Sequence, residues 1–217
     1  MGRVRRDFER PEDKRLAKLI IIATEGRKTE RIYFEALAEF YESKNIHVKV
    51  LEKLDNNSSP ESVFEQLNEF SLEYKLDEND ELWMVIDRDY QSWEEQAIKS
   101  VAQMCYQKKG FFLALSNPAF ELWLLLHFVD CSELEIEEKE RMFQNRRVSR
   151  SKTYMKKAVG DQIGGFNESK YDPMIFIPHA KRAINNSKKL DEKPNSRWPN
   201  FLGTRVHRLT DKIIKGG

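Results

Sequence analysis

A chain of 217 residues, 40% hydrophobic and 34% charged, is long enough for one large domain, or for a core domain with an appendage. No window has the apolar length needed to cross a bilayer, and the opening Met-Gly-Arg-Val-Arg-Arg-Asp-Phe-Glu-Arg lacks the apolar stretch of a signal peptide, so a cytoplasmic protein without membrane association is expected. Cys105 and Cys131 are too few for a disulfide framework and lack zinc-ligand spacing, and are expected to be reduced, structural thiols.

The formal net charge of +1 conceals an asymmetry. Residues 1–18 hold 7 Lys/Arg against 4 Asp/Glu, residues 19–140 hold 12 against 26, and residues 141–217 hold 18 against 6. The tail is suited to binding phosphates, whereas the acidic middle would repel a polyanion unless metal ions neutralise part of it. The alternative is a basic lobe that docks on the acidic one.

Apolar runs at Leu19–Ala23, His47–Leu51, Glu81–Ile86 and Phe111–Leu115 alternate with helical patterns. This alternation predicts βαβ units: an α/β fold with a four-stranded, mainly parallel sheet flanked by helices, Rossmann-like in outline. Tyr33, Phe34, Leu37, Phe40 and Tyr41 recur at helical spacing, as do Val63, Phe64, Leu67, Phe70 and Tyr74, and a third helix is expected from about Trp93 to Lys108. Asp55-Asn-Asn-Ser-Ser-Pro60 reads as a loop leading into a helix, with Ser59 as N-cap and Pro60 at the first position. After Cys131 the pattern changes. Glu133–Glu140 predicts an acidic connector, and Arg146–Lys157, Pro173–Lys189 and Gly203–Lys215 predict basic helices. The expected division is a basic arm at 1–17, a catalytic domain at 18–131 and a basic helical region at 132–217 packed on it.

Three carboxylates fall at strand ends. Glu25 follows Ile20–Ala23, and Asp87-Arg-Asp89 ends Leu82–Ile86, so if these strands are parallel neighbours Glu25, Asp87 and Asp89 meet. Carboxylates that stay ionised together call for a divalent cation, and oxygen ligands suit magnesium. Aspartates at strand ends also initiate turns, so Asp-x-Asp alone is weak. Thr29 is placed to cap the first helix. Glu30 lies in its first turn, where the helix dipole favours a carboxylate whether or not it binds metal. Asn117-Pro-Ala-Phe-Glu-Leu-Trp-Leu-Leu-Leu-His-Phe128 predicts a buried helix from Ala119 to Val129. Glu121 there needs a partner, either a metal site or an arginine, and His127 reads as a satisfied core or surface histidine. In the tail, Lys152, Lys156 and Lys157 around Tyr154, and the clusters Arg197-Trp198 and Arg205–His207–Arg208, are candidate nucleic-acid contacts.

Glu25-Gly-Arg-Lys-Thr-Glu30 with Tyr33-Phe34, then Asp87-Arg-Asp89, then Asn117–Phe128 resemble in order and spacing the RloB-like proteins. Tyr154-Met-Lys156 resembles the family's tyrosine–lysine element, and Asn195–Leu209 its closing helix. The resemblance implies a Toprim-type catalytic domain related to OLD-type nucleases, topoisomerases and primases. It also implies a role in anti-phage defence or abortive infection beside an ABC-type ATPase. Glu25 then matches the Toprim glutamate, Asp87 and Asp89 its Asp-x-Asp, and Glu30 the second acidic residue of OLD-like relatives. Arg27-Lys28 departs from the pattern, which has an acidic or small residue beside Gly26.

The resulting expectation is a nuclease using Mg2+ or Mn2+ on RNA or DNA. Glu25, Glu30, Asp87, Asp89 and Glu121 would act at the metal and Lys156 at the transition state. Lys152, Tyr154, Lys157 and Arg205 would bind nucleic acid, and the protein would work alone or as a homodimer. Two alternatives stand. One is a non-catalytic nucleic-acid-binding effector controlled by an ATPase. The other is an aspartyl phosphatase with Asp87 as nucleophile and Asp89 as acid/base, although such enzymes usually have Thr or Val at the position of Tyr90.

Overall fold

The computed structural model describes residues 5–14, 16–53, 59–88 and 95–216. In chain order the elements are β1 (Arg6–Asp7), β2 (Lys18–Thr24), α1 (Thr29–Phe40), β3 (Ile46–Val50), α2 (Pro60–Glu73), β4 (Tyr74–Lys75) and β5 (Glu81–Asp87). They continue with α3 (Glu95–Gln107), β6 (Phe111–Asn117), α4 (Phe120–Leu125), α5 (Ile136–Gln144), α6 (Tyr154–Ile163), α7 (Ala180–Leu190), β7 (Gly203–Thr204) and α8 (Val206–Lys215).

The main sheet has five strands in the order β3-β2-β5-β6-β7, parallel except for β7. After β2 the chain crosses by α1 to β3 on one side, then returns by α2 to β5 on the other. The strand order thus reverses between β2 and β5, and in open α/β sheets a crevice forms at the carboxyl ends of such strands. The four predicted strands are all present, and β7 and a separate parallel pair, β1–β4, are added to them.

Side-chain alternation divides the core between the two faces of the sheet. Leu19, Ile21 and Ala23 with Leu82, Met84 and Ile86 face the residues of α2 and α3, including Val63, Phe64, Leu67, Ile98 and Val101. Ile20, Ile22, Trp83 and Val85 face Tyr33, Phe34 and Leu37 of α1, the apolar residues of α4, and Ile184, Val206, Leu209 and Ile213. Each fully buried Ile or Leu stabilises the fold by about 2 kcal/mol relative to exposure. This second cluster runs unbroken from Ile20 to Ile213, so the residues after 131 share a core with the sheet.

Ser59 caps α2, accepting from the Ser62 N–H at 3.2 Å, with Pro60 at the first helical position, as predicted. Residues Asp55–Ser58 of that loop, and Trp93, lie outside the described residues. Some local expectations fail. The Ala119–Val129 helix is only six residues long, followed by turns that hold Leu126–Val129. Arg146–Lys157 is not one helix: Arg147 and Thr153 form an antiparallel bridge, and the helix starts at Tyr154, where the Thr153 side chain caps it. The N-terminal arm is attached to the body, since β1 pairs with β4 and Arg10 binds the buried Asp80 at 3.0 Å.

Candidate active site

The carboxyl ends of β2 and β5 are neighbours, with Thr24 opposite Val85. Past this register Glu25 keeps a ladder bond, its N–H donating to Val85 O at 3.0 Å, and its Oε2 accepts from the Asp87 N–H at 3.1 Å. The two strand-end acids are therefore joined through the backbone. Lys53 donates to the Glu25 carbonyl at 2.6 Å, fixing the turn from outside.

Gly26 lets Glu30 turn back. The Gly26 N–H donates to Glu30 Oε1 at 3.3 Å, and a Cβ on Gly26 would fall on the Glu30 carboxylate and displace it from this position. Thr29 is not the helix cap. Lys28 occupies that position without a side-chain bond, and the Thr29 hydroxyl donates instead to Glu168 O at 3.1 Å. Tyr171 in turn donates to Thr29 O at 2.8 Å, strapping the 168–171 segment across the start of α1.

Glu121 enters from α4 and is buried despite its charge. Lys156 enters from the first turn of α6, is partly buried, and forms an ion pair with Glu168. Together Glu25, Glu30, Asp87, Glu121, Lys156 and Glu168 line one cavity of about 440 Å³. The cavity lies at the edge where the strand order reverses.

Electrostatics in this cavity are strained. Burial, reinforced by the charges of Glu121 and Glu25, raises Glu30 to about 7. Burial and then the charges of Glu30, Glu25 and Glu121 lift Asp87 well above the aspartate range, against the Phe120 N–H, which favours its ionised form. Glu121 is raised by burial, with the Lys156 charge opposing. Burial lowers Lys156, but its bond to Glu168 and the charges of Glu121, Glu168 and Asp87 outweigh that and raise it.

The donors fit a hard divalent cation: they are carboxylate oxygens, and the buried Asp87 Oδ1 has no hydrogen-bond partner. Among the described residues, no group of three or more Asp, Glu, His or Cys is arranged to hold a metal ion as it stands. Asp89, like Tyr90, lies outside the described residues.

The tail candidates separate. Lys152 is exposed, while Lys157 is exposed and paired with Asp161. Tyr154 points away from the cavity, its hydroxyl on Glu138. Arg205 cannot touch a ligand: it is fully buried, paired with Asp191 at 2.8 Å and bonded to the carbonyls of Pro194 and Lys193. Trp198 and His207 are also buried, and Arg208 donates to Pro194 O. His127 is a core histidine. Its Nδ1 meets the carbonyls of Trp123 and Leu124 and its Nε2 the Tyr33 hydroxyl, and burial lowers it to about 3. Cys105 and Cys131 are free and buried, burial pushing each thiol up to about 12.

Residues 20–213 match the sequence model of the family described as RloB-like protein. The chain belongs to the RloB-like family. No curated protein and no solved structure matches it. The cavity of this RloB-like protein gathers, from the segments that carried the resemblance, the whole of Glu25–Glu30 with Asp87, Ala119, Glu121 and Lys156. It also gathers Glu168, Asn145 and Thr153, which no local pattern marked. No helix among the described residues is long and apolar enough to cross a membrane.

Proposed function

We propose that this protein is a metal-dependent nuclease with a Toprim-type catalytic half, hydrolysing phosphodiester bonds in the cavity between β2, β5 and α4. The observation that carries the reading is the convergence of Glu25, Glu30, Asp87 and Glu121 at the reversal point of the sheet, with an unpartnered Asp87 oxygen buried among them. Asp87, Glu25 and Glu30 would hold magnesium or manganese, with Glu121 and Asp89 completing the acidic set. When bound, such an ion polarises the phosphoryl oxygens and lowers the pKa of a coordinated water.

The chain's own groups do the rest. The Asp87 N–H fixes the Glu25 carboxylate in one orientation. Burial raises Glu30 to about 7, so it would give up its proton on holding a cation, which favours the ionised form. Lys156 stays protonated and presents a positive charge in the same cavity as the carboxylates, where charge develops on the phosphate. Glu168 holds that ammonium until a substrate phosphate competes for it.

Family membership supports a role in anti-phage defence with an ABC-type ATPase partner, and the exposed Lys152 and Lys157 support a nucleic-acid substrate. The test is cleavage of RNA and DNA by purified protein with magnesium or EDTA, with sequencing of the ends. Asp87→Asn and Glu25→Gln should lose magnesium-dependent cleavage at least a hundredfold and keep the fold, on the order of what removing one transition-state contact does. Cleavage by Asp87→Asn at the wild-type rate would overturn the mechanism.

A further inference from the structure

The segment between α5 and α6 is built in a way that the carboxylate site does not explain. Asn145 ends α5 in the left-handed conformation, φ 43°, and its side chain accepts from the Met155 N–H at 2.9 Å. The Tyr154 N–H donates to Arg146 O at 2.9 Å, Arg147 bridges Thr153, and the N–H groups of Val148 and Ser149 both point at Lys152 O. Residues 146–152 are thereby a tight hairpin whose two ends, Asn145 and Thr153, line the cavity.

The hairpin carries Arg146, Arg147, Arg150 and Lys152 and no carboxylate. All four cations are exposed, and among the described residues none of them enters an ion pair. Elsewhere exposed cations commonly do, as Lys99 with Glu95, Lys157 with Asp161 and Lys215 with Asp211. Like charges packed into a turn repel one another, an arrangement favoured only when a polyanion lies against it. Arg27 and Lys28 line the same cavity. Asp87 and Lys156 line that cavity too.

We infer that hairpin 146–152 is the wall that grips the phosphodiester backbone next to the phosphate in the cavity. This deepens the nuclease reading and rests on it. Four side chains each neutralising one phosphate displace counterions, contributing about 0.7 per contact on a single strand and 0.9 on a duplex to the slope of log affinity against log salt.

The experiment measures binding without cleavage: fluorescence anisotropy in EDTA with single- and double-stranded DNA and RNA oligonucleotides, over a series of salt concentrations. Variants are Arg146→Ala/Arg147→Ala/Arg150→Ala/Lys152→Ala and a charge-matched control, Lys44→Ala/Lys109→Ala/Lys181→Ala/Lys188→Ala, none of whose positions lines the cavity. Thermal melts check that both fold. The hairpin variant should bind at least tenfold more weakly, its salt slope smaller by about 3 on a single strand and up to about 4 on a duplex, while the control stays within about twofold of wild type. The oligonucleotide most affected identifies the substrate class.

Equal weakening in both variants, an unchanged hairpin variant, or no binding by the wild type would each overturn the inference. Because no cleavage is involved, an unchanged hairpin variant leaves the nuclease reading standing. Loss of that reading through an active Asp87→Asn protein, in turn, leaves the binding result intact.

Discussion

Glu30 shows what the site does to a single carboxylate. Its ordinary pKa of 4.5 rises to about 7 in the fold, so the folded protein binds the proton more tightly than the unfolded chain does between those values. Stability is therefore highest at low pH and falls as pH rises through the folded value. At about 1.4 kcal/mol per pKa unit, ionised Glu30 destabilises the metal-free protein by roughly 3 kcal/mol above pH 7, and the raised Asp87 and Glu121 act in the same direction. Glu30→Gln removes its share. In EDTA at pH 8 its melting temperature should exceed that of wild type by several degrees, at roughly 2–4 °C per kcal/mol for a chain of this size. At pH 4.5 the two should nearly coincide. Magnesium should stabilise the wild type more than the variant. A variant that melts below the wild type at pH 8 in EDTA would show that Glu30 is held by contacts stronger than the charge it carries.

At the scale of elements, α1 and the turn that follows α4 meet through a polar bond in an apolar setting. Tyr33 of α1 donates to His127 Nε2 at 3.0 Å, because Nδ1 must donate to the Trp123 and Leu124 carbonyls. Tyr33→Phe leaves that nitrogen buried without a partner, which costs about 1–3 kcal/mol. A fall of several degrees in melting temperature is expected, with nucleic-acid affinity unchanged in EDTA.

The central strands of this layout were legible because β2 and β5 are short apolar runs buried on both sides, unlike the partly exposed β3, and the meeting of Glu25 and Asp87 followed from strand adjacency alone. Other elements depended on distant partners. The strand β7 is two residues long and exists because Gly203 and Thr204 find Asn117 and Ser116. The basic run 146–152 has no breaker inside it, and only the Asn145 and Thr153 caps turn it into a hairpin. Glu168 reaches the cavity through the bonds at Thr29, which nothing near residue 168 announces. Arg205 misled for the opposite reason: a cation in a basic tail is normally exposed, and burial with Asp191 is set by the fold around it.

Over the whole molecule that buried pair is a test of how the tail is anchored. Removing one member of a buried ion pair costs about 3–5 kcal/mol because the other is stranded. Arg205→Met should therefore lower the melting temperature by roughly ten degrees. If Arg205 instead met nucleic acid, the variant would bind oligonucleotides with a smaller salt slope, and the slope should be the same as that of wild type.

The antiparallel edge strand joins Ser116 to Thr204, partners 88 residues apart, and beyond it Leu209 and Ile213 close the cluster that begins at Ile20. A ribosome making this chain emits Glu25, Asp87 and Glu121 long before those last apolar side chains emerge. Long-range closure of this kind comes late in folding. The apolar cluster behind those acids is therefore expected to close only once residue 213 has been made, although every residue that lines the cavity precedes residue 170.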